Sequence, residues 1–359
     1  MSLKITQIML ARGFGGAERH FVDLSLELAD GGHTIQAICH RAFEQRAVLE
    51  AHPNISVIGA RVWGAWDRLA KSATWRAIDR FGPQVVHAHL ARGAHFASFG
   101  AAGRLIPVVA NTHNYVDLKY YRGVSHFMTA TEDQRRHLMD HGIAGERVDV
   151  IPHFSRLAPV DTARSTLSPA PVFVAYGRLV HKKGFDVLLE AFARYVARGG
   201  RGSLVIGGSG PEQTKLEALR QHLGLAGRVR FAGWVDNVRG LLDSGDVFVL
   251  PSRDEPFGIV VLEAMARGLP MICTRAQGPR EILADATARL VEIGDPEALA
   301  EALVECERAA EACVERAHRA LERFKSHYSA AAVIPRILEC YGAAIRDARG
   351  SPAGSASAP

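Results

Sequence analysis

No stretch of the 359-residue chain reaches the roughly 18 to 20 uninterrupted apolar residues that a membrane span needs. The segment from Met1 to Ala11 has no basic region followed by a long apolar block and a small-residue cleavage site, so no secretory leader is expected. Cysteine is scarce: Cys39, Cys273, Cys306, Cys313 and Cys340 are scattered, without a Cys-x-x-Cys pair. That odd number excludes a full disulfide framework and offers no zinc-ligand spacing, so the thiols are expected to be reduced and packed. Two glycine signatures are broken as well. Gly13-x-Gly15 would need a glycine at Glu18, and Gly208-x-Gly210 one at Gln213, which argues against a dinucleotide fingerprint. There is no Gly-x4-Gly-Lys-Ser/Thr phosphate loop and no Asp-x-Asp.

What is present is an ordinary globular composition, 48% hydrophobic and 23% charged, with the length of two domains. The net charge of +5 suits an anionic substrate or a membrane surface and by itself decides little. No nucleic-acid partner is expected, and the protein is read as cytoplasmic. Histidine is lopsided: 12 of 16 precede residue 160, most expected at the surface or at strand ends.

Short β-branched runs alternate with helical patterns along the whole chain, which implies parallel sheets covered on both faces. Strands are expected at Ile5 to Met9, Ile35 to Cys39, Val85 to Ala88, Val108 to Thr112, His126 to Ala130 and Val148 to Ile151. A helix over about Ala17 to Ala29 would bury Phe21, Leu24 and Leu28 on one face, with Gly31-Gly32 stopping it. Pro159 to Pro171 reads as a linker. A second set of strands is expected at Val172 to Tyr176, Leu204 to Ile206, Val229 to Phe231, Val247 to Leu250 and Met271 to Cys273. Helical sequence then runs from Pro296 to about Arg349, broken near His327 to Ser329 and again at Pro335. The expected organisation is an α/β chain of two tandem Rossmann-like, doubly wound parallel-sheet domains, 1–160 and 161–329. A C-terminal helix, 330–349, packs back toward the first, and a disordered tail follows, 350–359.

The most informative segment is Asp254-Glu255-Pro256-Phe257-Gly258-Ile259-Val260-Val261-Leu262-Glu263-Ala264-Met265-Ala266. It follows a strand, in the loop where open α/β sheets bind ligands. Phe257, Gly258 and Ile259 would present backbone N–H groups at a helix start, and a carboxylate such as Glu255 or Glu263 accepts well from vicinal hydroxyls. For an arbitrary pair, a solvated helix face is the ordinary alternative. Gly177-Arg178-Leu179-Val180-His181-Lys182-Lys183-Gly184 also follows a strand. Its Arg178 and Lys183 would supply fixed positive charge for a diphosphate without a metal. Gly15 and Gly16 allow close approach to a helix amino terminus.

Together with Gly207-Gly208-Ser209-Gly210-Pro211, Gly15-Gly16-Ala17-Glu18 and Gly278-Pro279-Arg280-Glu281, these segments resemble glycosyltransferase family 4 in order and approximate spacing, across most of the chain. The resemblance implies a GT-B fold, two Rossmann-like domains facing a cleft, and a retaining, metal-independent transferase using a nucleotide-diphosphate sugar and a glycan or glycolipid acceptor. It implies that Arg178 and Lys183 bind the diphosphate, Glu263 the ribose and Glu255 the transferred sugar. The backbone of Phe257, Gly258 and Ile259 would hold sugar hydroxyls, Gly16 would approach the donor, and His113 would lie beside the reacting sugar. Trp234 and Val235 are weaker candidates to flank the base. Ile151-Pro152-His153-Phe154 departs from the family, which commonly has asparagine after the proline. A nucleotide-sugar epimerase of GT-B architecture is the alternative, although its extra acid and base are not identifiable.

Arg61 to Arg80 contains three of the four tryptophans, Trp63, Trp66 and Trp75, and five basic residues against two acidic ones. It reads either as an interfacial helix on an anionic membrane, which would make the enzyme peripheral on the inner face of the cell membrane, or as a helix burying Trp66, Leu69, Ala73 and Ala77.

Overall fold

The computed structural model describes residues 2–13, 15–64, 66–101 and 104–350. Contacts divide the chain into two compact units, one formed by the chain up to Phe154 and from Ala330 onward, the other by Ser155–Ser329. Within the first unit run β1 (Lys4–Met9), α1 (Gly16–Asp30), β2 (Thr34–His40), α2 (Arg46–Glu50), β3 (Ile55–Ala60), α3 (Arg68–Phe81), β4 (Val85–His89), α4 (Leu90–Phe99), β5 (Val108–Asn111), β6 (His126–Thr129), α5 (Glu132–Asp140) and β7 (Val148–Val150). All strands pair in parallel in the order β3-β2-β1-β4-β5-β6-β7.

The second unit contains β8 (Val172–Tyr176), α6 (Phe185–Ala197), β9 (Ser203–Gly207), α7 (Gln213–His222), β10 (Val229–Gly233), α8 (Val238–Asp243), β11 (Val247–Leu250), α9 (Ile259–Ala266), β12 (Met271–Thr274), α10 (Gln277–Ile282), β13 (Arg289–Val291), α11 (Pro296–Arg308) and α12 (Ala310–His327). Its sheet has the order β10-β9-β8-β11-β12-β13, again parallel. A last helix, α13 (Ala330–Gly350), belongs to the first unit.

Every strand expected from sequence forms. Two others, β3 and β13, escape the pattern. Six-residue β3 is only partly buried, and β13 offers an apolar run of just two residues, Leu290 and Val291, between Arg289 and Glu292. Alternation along β1 sends Ile5 and Met9 to one face and Ile8 to the other. The first face packs on Phe21, Leu24 and Leu28 of α1 and on Val333, Ile337 and Tyr341 of α13; the second packs on Trp75 and Ile78 of α3 and Phe96 of α4.

Three expectations need correction. The Pro159 to Pro171 segment has no regular structure yet is no free linker: Val160 N–H donates to Ala266 O at 2.9 Å, and Ala163 is buried with Ala317 and Leu321. The break at His327 to Ser329 occurs, but Pro335 does not end α13. Lying in the second turn, it forfeits one amide donor near the helix start, while Val333 and Ile337 anchor the helix on both sides of it. In α3 the buried residues are Lys71, Thr74, Trp75 and Ile78 rather than Trp66, Leu69, Ala73 and Ala77. Trp63, Trp66 and Leu69 are 78%, 72% and 84% exposed. Phe14, Ala65 and the tail 351–359, expected to be disordered, lie outside the described residues; Gly350 ends α13.

If α13 completes the core of the first unit, Ile337→Ala should cost about 2–5 kcal/mol, since the side chain is 1% exposed and leaves a cavity. Denaturant unfolding followed by tryptophan emission would check this. A loss below about 0.5 kcal/mol, typical of a surface position, would contradict it.

Candidate functional site

Each sheet reverses strand order once, between β1 and β4 in the first unit and between β8 and β11 in the second. Loops leaving the carboxyl ends of the two strands at such a point diverge to opposite faces and open a crevice. In the second unit those loops carry the two basic and acidic motifs. Lys183 Nζ donates to Glu255 Oε2, with the two side chains 17% and 10% exposed.

The surrounding contacts fix this pair. Arg253 N–H and Asp254 N–H donate to Lys182 O at 2.8 and 3.2 Å. The Arg253 guanidinium grips Asp186, in the first turn of α6, through two bonds of 2.6 and 2.8 Å. Burial pushes the Asp186 carboxyl up, but those bonds and the charge of Arg253 outweigh it and hold it below the usual range. Gly184 has φ +66°, and a Cβ there would meet Pro251 O at 2.1 Å, so only glycine lets the two loops touch.

Glu255 lies in the loop before α9, whereas Glu263 lies within α9, fully buried, and accepts a hydrogen bond from Tyr176 OH at the end of β8. Gly258, φ +101°, caps the start of α9, leaving the first N–H groups of that helix without intrahelical acceptors. Gly278 packs so tightly on Phe257 that an added Cβ would fall 1.9 Å from its carbonyl oxygen. Its N–H donates to Glu255 O at 2.8 Å. Thus Gly278-Pro279-Arg280-Glu281 buttresses the Glu255 loop. Arg178 is exposed on the β8 loop. Trp234 is 56% exposed just beyond β10, and Val235 covers Gly207.

In the first unit Gly16 begins α1, and a Cβ on it would meet nothing within 4 Å, so packing within the unit does not require glycine there. His113 follows β5 with φ +62°, one of two non-glycine residues with positive φ among the described ones; the other, Leu90, follows β4. The His113 ring is 8% exposed. Its Nε2 lies 3.1 Å from His89 Nδ1, and its Nδ1 lies 3.2 Å from His153 Nε2. His20 of α1 stacks near His153, ring centroids 4.1 Å apart, and His87 stacks on His89 at 4.4 Å.

Most of the early histidines are expected at the surface or at strand ends; eight of the twelve, His20, His33, His40, His87, His89, His113, His126 and His153, are buried, and of these only His40, His89 and His126 stand at the ends of strands. The missed signal is His87-x-His89 in an otherwise apolar strand, a spacing that points both rings to one face. Gln7, with the same parity in β1, gives another unheeded sign of a polar site on that face. Among the described residues no group of three His, Cys, Asp or Glu side chains is placed to hold a metal, and all five cysteines are buried and unpaired by disulfide.

The family described as Glycosyl transferases group 1 matches residues 163–323, and Glycosyltransferase Family 4 matches residues 14–157. The chain is 32% identical over 325 residues to the lipopolysaccharide core biosynthesis glycosyltransferase LpsE of Rhizobium meliloti, covering 84% of this chain and 88% of that protein. It is 34% identical over 306 residues to LpsD of the same organism, covering 80% and 84%. In fold it is similar to Anabaena Alr3699/HepE, solved in complex with UDP, with a TM-score of 0.82 at 19% identity over 95% of this chain and 100% of that one.

The clustered rings carry a measurable consequence. Burial pulls the histidines down, His87 to about 4 against the opposing effect of its bond to Asn111, and with help from neighbouring rings His153 to about 3 and His20, His89 and His113 well below their ordinary value. Unfolded histidine titrates near pH 6.5. Below that pH the unfolded chain binds more protons than the folded one, so this contribution is fully present above 6.5 and lost as pH falls toward the folded values. Between pH 7 and 5.5, the unfolding free energy should fall with a limiting slope steeper than the roughly 1.4 kcal/mol per pH unit of one proton. A flat profile would mean that the rings are already charged in the native state.

Proposed function

The chain belongs to the nucleotide-sugar-dependent glycosyltransferases of GT-B fold, and we propose that it is a family 4 enzyme transferring a hexose to a glycan or glycolipid acceptor with retention of configuration. The observation that carries this reading is the contact between Lys183 and Glu255 at the point where the second sheet reverses its strand order. A cation for a diphosphate and a carboxylate for a sugar belong side by side if one ligand spans both.

In this reading Arg178 and Lys183 hold the diphosphate and stabilise the charge that develops as it leaves, without a metal or other cofactor. Glu263, oriented by Tyr176, takes the ribose hydroxyls, and Trp234 with Val235 flanks the base. Glu255 and the N–H groups of Phe257, Gly258 and Ile259 take the sugar. Gly16 and His113 are the contributions of the first unit. The acceptor attacks the face from which the diphosphate departs. The new glycosidic C–O bond forms as the old one breaks, and the acceptor proton passes to the leaving phosphate. UDP is the proposed nucleotide, supported by the UDP complex of a protein of the same fold. A growing lipopolysaccharide core is the proposed acceptor, supported by the names of LpsE and LpsD.

Lys183→Ala should lower turnover at least about a hundredfold, the worth of roughly 3 kcal/mol at a developing anion, and wild-type activity should survive excess EDTA. Transfer, donor hydrolysis and epimerisation should be followed together. A variant with near wild-type turnover would remove Lys183 from the diphosphate site. Loss of transfer to EDTA with rescue by magnesium or manganese would refute the metal-free reading, and epimerisation without transfer would refute the transferase itself.

We assign the acceptor's membrane to the surface around Trp63, Trp66 and Leu69, and with it a cytoplasmic, peripheral location. Exposed indoles favour a lipid interface, and Arg61, stacked 4.9 Å over Trp63, and the exposed Arg68 and Arg76 favour anionic headgroups. Lys71 does not reach the headgroups, because it is buried and its Nζ lies 2.8 Å from His95 Nε2. Wild type should cosediment with anionic vesicles at low salt and less at high salt, and a variant with Arg61, Arg68 and Arg76 changed to glutamine should bind more weakly. Equal binding by the variant, or none by wild type, would rule out this surface.

A further inference from the structure

Seven buried side chains of the first unit form one hydrogen-bonded chain. Asn111 Oδ1 lies 2.6 Å from His87 Nε2, and His87 Nδ1 lies 2.6 Å from Tyr341 OH of α13. Gln7 Nε2 donates to Tyr341 OH at 3.3 Å, and Gln7 Oε1 lies 2.7 Å from His89 Nε2. His89 Nδ1 meets His113 Nε2, and His113 Nδ1 meets His153 Nε2.

A neutral imidazole carries one donor and one acceptor, so each bond dictates the next. His87 Nε2–H donates to the Asn111 carbonyl, which leaves Nδ1 to accept from Tyr341 O–H. The tyrosine oxygen accepts from the Gln7 amide, and the Gln7 carbonyl accepts from His89 Nε2–H. His89 Nδ1 must then accept from His113 Nε2–H, and His113 Nδ1 from His153 Nε2–H. With both amides so oriented, this one proton assignment satisfies all six contacts with every ring neutral. All six donors point the same way, an arrangement in which each bond polarises the next.

We propose that Gln7 and Tyr341 are positioning residues, which through this chain hold His113 with its proton on Nε2 and its lone pair on Nδ1. A sugar hydroxyl that takes the place of His153 at Nδ1 must therefore donate its proton to the ring. His113 selects a hydroxyl in that orientation and cannot itself donate there. The inference rests on the role proposed above for His113, and it deepens that role by fixing which nitrogen can serve the sugar.

The test is the long-range proton–nitrogen NMR spectrum of the full-length protein labelled in histidine, combined with kinetics on the nucleotide sugar that most raises its melting temperature. Wild type should show His87, His89, His113 and His153 protonated on Nε2. Gln7→Met removes the acceptor that sets the direction. His89 and His113 should shift toward Nδ1–H, and kcat should fall about tenfold, the worth of about one hydrogen bond, with donor KM within about twofold. Gln7→Glu keeps an acceptor oxygen and should restore both the tautomers and kcat. If Gln7→Met does not fold, Tyr341→Phe, which frees the Gln7 amide, should mix the His89 tautomers and lower kcat in the same sense.

His113 found as the Nδ1–H tautomer in wild type would overturn the assignment. So would tautomers that shift without any change in kcat, or an equal loss of kcat in Gln7→Met and Gln7→Glu, which would mark a packing effect. The spectrum needs no turnover, so a wild type that transfers from no donor would strike only the transferase reading, while the spectrum would still decide the chain.

Discussion

Parallel pairing is the constraint on which everything else depends. Because every strand of a sheet runs the same way, every loop that follows a strand leaves from the same edge. The chain therefore needs no long-range code to collect its reactive groups. It needs only to place them just after strands, and the reversal of order beside β1 and β8 then decides which loops are neighbours. Lys183 and Glu255 are 72 residues apart in sequence and lie on neighbouring loops for this reason.

Within that frame the second unit spends its glycines on proximity. Gly184 and Gly278 mark places where backbone lies against backbone, and a single methyl group at either would separate loops that must act together. The ion pair they bring together is held away from water but not sealed, with both side chains retaining some exposure. A dianionic ligand can therefore compete for Lys183 without a change in the sheet beneath. Glu263 is different: full burial and the bond from Tyr176 fix its orientation in advance. The first unit follows another principle, with rings that are neutral, close-packed and joined to one another instead of charges in pairs.

These differences explain what could be read from sequence. Buried parallel strands such as Val172–Tyr176 are near-continuous apolar runs, and residues bunched in one loop, such as Arg178 with Lys183, announce themselves by adjacency. β3 and β13 were hidden because the first is only partly buried and the second has just Leu290 and Val291 between two charged residues. The outward turn of Trp66 and Leu69 was hidden for a different reason: helical periodicity identifies a stripe, not which stripe meets the sheet, and here a lysine stem and a threonine took the inner positions. Least legible was the histidine chain. Its members come from one helix, three strands and two loops, with Tyr341 lying 254 residues after His87, and no local pattern connects them.

The return of α13 to the first unit has a consequence for how the protein is made. Gln7 and Tyr341 are 334 residues apart, and all of Ser155–Ser329 is translated between the two parts of the first unit. At about 5–20 residues per second, the ribosome needs roughly 10 to 35 seconds to traverse that insertion. Throughout that interval the apolar face that α13 will cover lies open, and Gln7 has no tyrosine to hold it. The second unit, contiguous in sequence, can fold meanwhile. The part of the protein synthesised first is thus the part completed last, and a nascent chain that stalls before Ala330 presents a finished second unit joined to an unfinished first one, open to chaperones and proteases.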